Sequence, residues 1–221
     1  MKLFLQAIAK FLLGLLIVSG LLFIPAGGYC YYNAWLLIIL LFVPMFLVGI
    51  ILLFKNPELL KRRLDAKEKE SDQKQVVIIS GLMFIVGFII AGLNFRYKWI
   101  IMNNISVFMG CLIFIISYIL YAFVLIENTY LSRTIKVEKN QKVIDSGLYG
   151  IIRHPMYTST IFLFLSMPLI LNSFITFIVF LLYPFLIIKR INNEEKVLSK
   201  ELKGYNEYKK KVKYKLIPYI W

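Results

Sequence analysis

Five long apolar runs, at roughly 3–24, 34–54, 76–95, 105–126 and 158–188, constrain this chain more than any other feature. Each is continuous, without the helical or alternating spacing that marks an element with one face in water. A run of about 20 such residues crosses a bilayer as a helix, because in hydrocarbon each backbone N–H and C=O must be paired within the segment. Composition agrees: 60% of the 221 residues are hydrophobic and the mean hydropathy is +0.75, against roughly 45–50% apolar residues in a soluble domain. No compact small-residue cleavage site precedes the second run, so the first reads as a retained helix and not as a signal peptide.

The charges give the direction of threading. All 12 acidic residues and 22 of the 26 Lys and Arg fall in the segments 55–75, 127–157 and 189–221. Pro25–Trp35 carries no charge, and Arg96 and Lys98 are the only charges between the third and fourth runs. By the positive-inside rule the three charged segments and both termini face the cytoplasm, while 25–33 and 96–104 face outward. The net charge of +14 is therefore a topological signal suited to an anionic leaflet. Nucleic acid is not an expected partner.

The last run tests that assignment. A single crossing by 158–188 would carry the ten basic residues after it to the outside, against the rule. Thirty-one residues are long for one crossing and short for two, and Pro168 and Asn172-Ser173 interrupt the middle. The reading is a hairpin, 158–171 and 174–188. The expected fold class is all-α: a polytopic membrane protein with four full spans, a shortened C-terminal helical hairpin and a cytoplasmic C-terminal helix. Its parts are two N-terminal spans (1–54), an interfacial segment (55–75) with a short helix opening at Pro57, and a core (76–221). The core holds a loop at 133–157, the hairpin, and the tail 189–221.

Two cysteines, Cys30 and Cys111, lie far apart in apolar surroundings and read as buried free thiols. One histidine without His or Cys companions argues against a catalytic zinc, so no metal is expected. Polar chemistry concentrates in 141–157, QKVIDSGLYGIIRHPMY. Gly147 and Gly150 allow close backbone approach to a ligand, Pro155 fixes the chain after His154, and Tyr149 and Tyr157 offer flat faces with polar tips. Composition leaves two readings open: a ligand-holding loop at the hairpin mouth, or a juxtamembrane anchor with Arg153 on headgroups. A second cluster, KRINNEE at 189–195, sets Arg190 and Glu194 four residues apart on one helix face. It is either a surface ion pair or the polar flank of a cavity.

Together these residues carry a resemblance. DSGLYGIIRHPMY (145–157), RINNEEKVL (190–198) and GYNEYKKKVKYKLIP (204–218), in that order, resemble the C-terminal signature of the isoprenylcysteine carboxyl methyltransferase family. The related phospholipid methyltransferases share much of it. Asn56-Pro57-Glu58 and Ser132-Arg133-Thr134 are similar to bacterial members, which implies a bacterial plasma membrane. The resemblance implies transfer of the methyl group of S-adenosyl-L-methionine to a lipophilic acceptor in a membrane-embedded cavity. It implies cofactor contacts at Gln141, Lys142, Val143, Ile144, Tyr149, His154, Pro155, Met156, Tyr157 and Glu194. It assigns Arg190 to the substrate side and leaves His154 either a base or, the preferred role, a wall of the cofactor pocket. Gln141-Lys142 departs from the His or other polar residue frequent there, a change that backbone contacts would survive. Thr158-Ser159 replaces a smaller residue and bears on the acceptor tunnel.

Partners implied are membrane lipids and a lipid, lipidated or other lipophilic small-molecule acceptor. Two other functions are compatible with the sequence. A sterol-type reductase with a nicotinamide cofactor has a similar C-terminal architecture, and a non-catalytic scaffold or transporter is the alternative outside enzymology. Spans nearly free of ionisable residues argue against transport. Gly81, Gly87 and Gly92 provide a surface for packing against a helix of the same or another chain.

Overall fold

The computed structural model describes residues 2–65, 68, 70–132, 134–135, 137 and 140–221, without the side chains of Ser71 and Asp72. Arg133 and parts of the 55–75 and 133–157 segments thus lie outside the described residues. Helices dominate: α1 (Lys2–Ala26), α2 (Tyr32–Lys55), α3 (Pro57–Leu64), α4 (Ser71–Tyr97), α5 (Asn104–Glu127), α6 (Pro155–Ile170), α7 (Phe174–Phe180), α8 (Leu182–Glu201) and α9 (Tyr205–Lys211). Five stretches are long and apolar enough to cross a membrane: Lys2–Ala26, Tyr32–Lys55, Gln73–Tyr97, Asn104–Glu127 and Phe174–Glu201. The protein is a polytopic helical membrane protein.

Its outer surface is apolar. Leu16, Phe54, Ile105, Phe108 and Ile126 are all exposed, as expected where lipid replaces part of the core. Glycines allow the helices to approach closely. A Cβ at Gly110 would lie 2.8 Å from Leu169 Cβ and one at Gly92 2.6 Å from the Leu22 carbonyl. Gly87 likewise receives the Phe180 ring, whereas Gly81 faces open space. Two of the three glycines proposed for helix packing are therefore used within the chain.

The hairpin turns as the sequence suggested, with adjusted limits. Pro168 does not end α6, which runs on to Ile170. Asn172 adopts φ +56, and the Asn172 and Ser173 amides return to the carbonyls of Leu169 and Pro168. This is a Schellman closure with asparagine in the left-handed position. Ser173 then caps α7 by accepting from the Thr176 amide. The second arm pauses at Leu181 and outlasts its apolar part, which ends at Ile188, to reach Glu201. We read residues beyond Ile188 as outside the membrane.

The hairpin tip meets both connections of the charge-poor end, where Arg96 and Lys98 are the nearby cations among the described residues. Tyr31 Oη donates to the Leu171 carbonyl at 2.5 Å, Asn33 Nδ2 to Ile170 at 2.7 Å, and Ile101 pairs with Ser173 in an isolated bridge. Cys30, in the Gly27–Tyr31 connection, is exposed and Cys111 half-buried. This corrects the expectation of two buried thiols, because Cys30 sits in a connection and not in a packed helix. At the opposite, charged end α3 begins on a side-chain cap from Asn56 with Pro57 in its first turn. Arg62 donates to the Thr129 carbonyl at 2.7 Å and Arg63 to Tyr121 Oη. Lys10 of α1 reaches the Leu64 carbonyl.

Candidate active site

At the charged end, a 3₁₀ turn over Gly147–Gly150 leads into α6. Gly147 has φ +54, and a Cβ there would lie 2.1 Å from Glu127 Oε1. The Glu127 carboxylate accepts from the Leu148 amide at 3.0 Å. Glycine is required because both the left-handed backbone and the carboxylate beneath it leave no room for a side chain. This turn aims Tyr149 inward, where its hydroxyl accepts from Asn128 Nδ2 at 3.0 Å. Burial, the larger influence, and nearby carboxylates raise the Tyr149 pKa above its ordinary value.

Arg153 and His154 form the next layer. Their amides donate to the Tyr214 and Lys215 carbonyls, each at 2.9 Å, which lays the C-terminal strap across the start of α6. The Arg153 guanidinium is buried and donates to Glu195 Oε1 at 2.7 Å and to the Val212 and Lys213 carbonyls at 2.7 and 2.8 Å. His154 Nε2 lies 3.2 Å from the same Glu195 oxygen, and Lys215 Nζ lies 3.4 Å from the other. Burial alone would raise the Glu195 carboxyl, but the bonds and charges of His154 and Arg153 outweigh it and bring the pKa to about 2. Glu195 is therefore an anion at the centre of a cationic cluster.

One residue earlier, Glu194 points into a pocket. Tyr157 Oη donates to Glu194 Oε2 at 2.6 Å and accepts from Arg190 Nε at 2.9 Å. The i, i+4 pair expected along α8 is thus relayed through a tyrosine of α6. Arg190 also lies 3.7 Å from Glu68 Oε2, which accepts from the Ile135 amide at 3.3 Å.

The pocket wall gathers Gln141, Lys142, Val143, Ile144, Tyr149, Arg153, His154, Met156, Tyr157, Arg190 and Glu194 from separate parts of the chain. Pro155 is not on this wall. It fills the buried first position of α6, behind His154. Ten further residues complete it: Asn128, Tyr130, Leu131, Ser132, Thr134 and Ile135 from the segment after α5, and Leu198, Leu202, Tyr205 and Tyr208 from α8 and the tail. A signal existed for Leu198 and Leu202, since they continue the four-residue spacing that runs from Arg190 through Glu194. Asn128 carried none. Glu195 was visible as half of a Glu-Glu pair, but which glutamate faced inward depended on the phase of α8.

A polytopic helical membrane protein with a polar, aromatic pocket at its charged end is the class these observations define. The family model for isoprenylcysteine carboxyl methyltransferases matches residues 106–200, from the first turn of α5 to the end of α8, and bears out the resemblance read from the sequence. The chain is also similar to the mouse (Mus musculus) Delta(14)-sterol reductase TM7SF2, with 30% identity over 91 residues. That match covers 40% of this chain and 22% of the reductase, so the chain spans less than a quarter of that relative.

Proposed function

We propose that the protein transfers the methyl group of S-adenosyl-L-methionine to a lipophilic or membrane-partitioned acceptor, with a carboxylate of the isoprenylcysteine type favoured. The observation that carries this reading is the convergence of residues 141–144, Tyr149, Tyr157 and Glu194 on one pocket. Those residue types suit such a cofactor. It is a sulfonium cation, which aromatic faces attract, with an ammonium group that suits the Glu194 carboxylate. A buried hydroxyl on the wall, Tyr205 Oη, has no hydrogen-bond partner among the described residues, as expected of a pocket built for a polar ligand. The bound cofactor supplies an electrophilic methyl group; the protein supplies alignment and electrostatics.

A carboxylate acceptor is already ionised near neutral pH and needs no base. Arg190, at the junction of α8's apolar and charged parts, is the group to hold it by charge-assisted hydrogen bonds. Tyr157 fixes the Arg190 side chain, so acceptor and cofactor contacts share one hydroxyl. His154, bonded to Glu195, acts as a positioning residue, holding the pocket wall through its ring and the C-terminal strap through its amide. By the positive-inside rule the pocket opens to the cytoplasm and the acceptor reaches it from the membrane.

The similarity to a sterol reductase favours a second reading, nicotinamide-dependent reduction. Among the described residues lining the pocket, the Arg153 guanidinium is committed to Glu195 and two carbonyls, so a nucleotide phosphate would meet Arg190 and exposed Lys142. Calorimetric titration of the detergent-solubilised protein with S-adenosylhomocysteine and, separately, NADPH decides between them. Binding of the first and not the second is expected, with Glu194→Ala and His154→Ala each weakening it. Binding of NADPH alone would overturn the methyltransferase reading. Mass spectrometry of membrane extracts incubated with methyl-deuterated S-adenosyl-L-methionine then identifies the acceptor.

A further inference from the structure

The Gly204–Tyr208 segment places two tyrosines side by side with different fates. Both rings are buried, with centroids 5.7 Å apart, and both line the pocket. Tyr208 Oη donates to the Tyr149 carbonyl at 2.7 Å, so its hydroxyl is committed to holding the 3₁₀ turn. Tyr205 is only 4% exposed, yet its hydroxyl has no hydrogen-bond partner among the described residues. A buried, unsatisfied hydroxyl is costly and is expected to have a purpose. We propose that Tyr205 Oη is a ligand contact that accepts a hydrogen bond from the ammonium group of the bound cofactor, alongside Glu194.

Three observations set this role apart from a purely structural one. The Tyr205 ring packs with Leu202, Tyr208 and Val212 and against Val137, Val143 and Leu198, so apolar contacts already account for its position. Tyr205 and Glu194 line the same pocket. Its pKa is raised, first by burial and then by the negative charge of Glu195 and Glu194. A neutral hydroxyl in a negative field favours the donor of a positive ligand. Tyr208, whose hydroxyl is tied to the backbone, serves as the internal control.

This inference rests on the cofactor assignment proposed above, and the experiment separates the two. Calorimetry on wild type and Tyr205→Phe compares S-adenosylhomocysteine with 5′-methylthioadenosine, which lacks the amino-acid end. If wild type binds neither, the cofactor assignment fails and the Tyr205 role falls with it. Given wild-type binding, Tyr205→Phe should weaken S-adenosylhomocysteine about tenfold, the scale of a hydrogen bond to a charged group. It should leave methylthioadenosine unchanged. Equal loss for both ligands, or loss for neither, would overturn the contact. Phenylalanine preserves the ring packing, and thermal unfolding without ligand checks that the variant is folded.

Discussion

The two ends of the helix bundle are both held by polar contacts, but of different kinds. At the charge-poor end, the contacts that hold the hairpin tip are neutral and run from side chain to backbone. Tyr31 and Asn33 satisfy the Leu171 and Ile170 carbonyls, and Asn94 clamps the Ile100 amide and carbonyl at 3.0 and 3.2 Å. Leu171 and Ile170 are among the carbonyls that the end of α6 leaves without a helical partner. At the charged end, ion pairs and side-chain relays join α6, α8 and the C-terminal strap around a pocket, where the Tyr205 hydroxyl has no hydrogen-bond partner among the described residues. One end closes the fold; the other is organised to receive something. Variants that separate stability from binding test this division.

The largest effect is expected from Arg153→Met. It removes the guanidinium that neutralises Glu195 and binds two strap carbonyls. Losing one partner of a buried ion pair costs about 3–5 kcal/mol; His154 and Lys215 stay beside Glu195, which sets the expected loss at the lower end, and the unfolding temperature in detergent should fall. The pH dependence has a definite sign. Glu195 has its folded pKa lowered from 4.5 to about 2, so its contribution is present above pH 4.5 and is lost as pH falls through the folded value. Wild type should lose stability between pH 4.5 and 2, and Glu195→Gln should flatten that slope. A charged end whose stability ignored both changes would break the comparison.

Glu194→Gln comes next and should behave differently from its neighbour. It faces the pocket and touches Tyr157, so its loss should reduce S-adenosylhomocysteine affinity at least tenfold while the unfolding temperature barely moves. Equal stability losses at 194 and 195 would mean that both glutamates are structural. The contrast also marks what was legible in the sequence. Long apolar runs and one-sided charge gave the spans, because the bilayer enforces both. The ordered motifs around His154 and Glu194 identified the residues that meet at the pocket. What stayed hidden depended on three-dimensional phase: that Tyr157 relays Arg190 to Glu194, that Glu195 turns to Arg153, and that Asn128 and Tyr205 complete the wall. Spacing along one helix cannot report which residue of another helix completes a contact.

Gly147→Ala should cost about 2 kcal/mol. The left-handed backbone alone penalises an L-residue by roughly 1–2 kcal/mol, and the new Cβ would displace the Glu127 carboxylate that accepts from the Leu148 amide. Because that turn aims Tyr149, ligand affinity should fall together with stability. Hydrogen exchange should show faster exchange at residues 147–150, with the hairpin tip unaffected.

Tyr31→Phe is the smallest change and the control for the charge-poor end. The ring stacks on Phe95 with centroids 4.3 Å apart, and phenylalanine keeps that contact while removing the donor to the Leu171 carbonyl. The expected cost is about 1 kcal/mol, that of one neutral hydrogen bond, read as a small drop in unfolding temperature. S-adenosylhomocysteine affinity should be unchanged, because the hairpin arms separate Tyr31 from the pocket. Weakened binding in this variant would mean that the tip of the hairpin is coupled to its mouth. The bundle would then be one responsive unit, not a closed end that carries an open one.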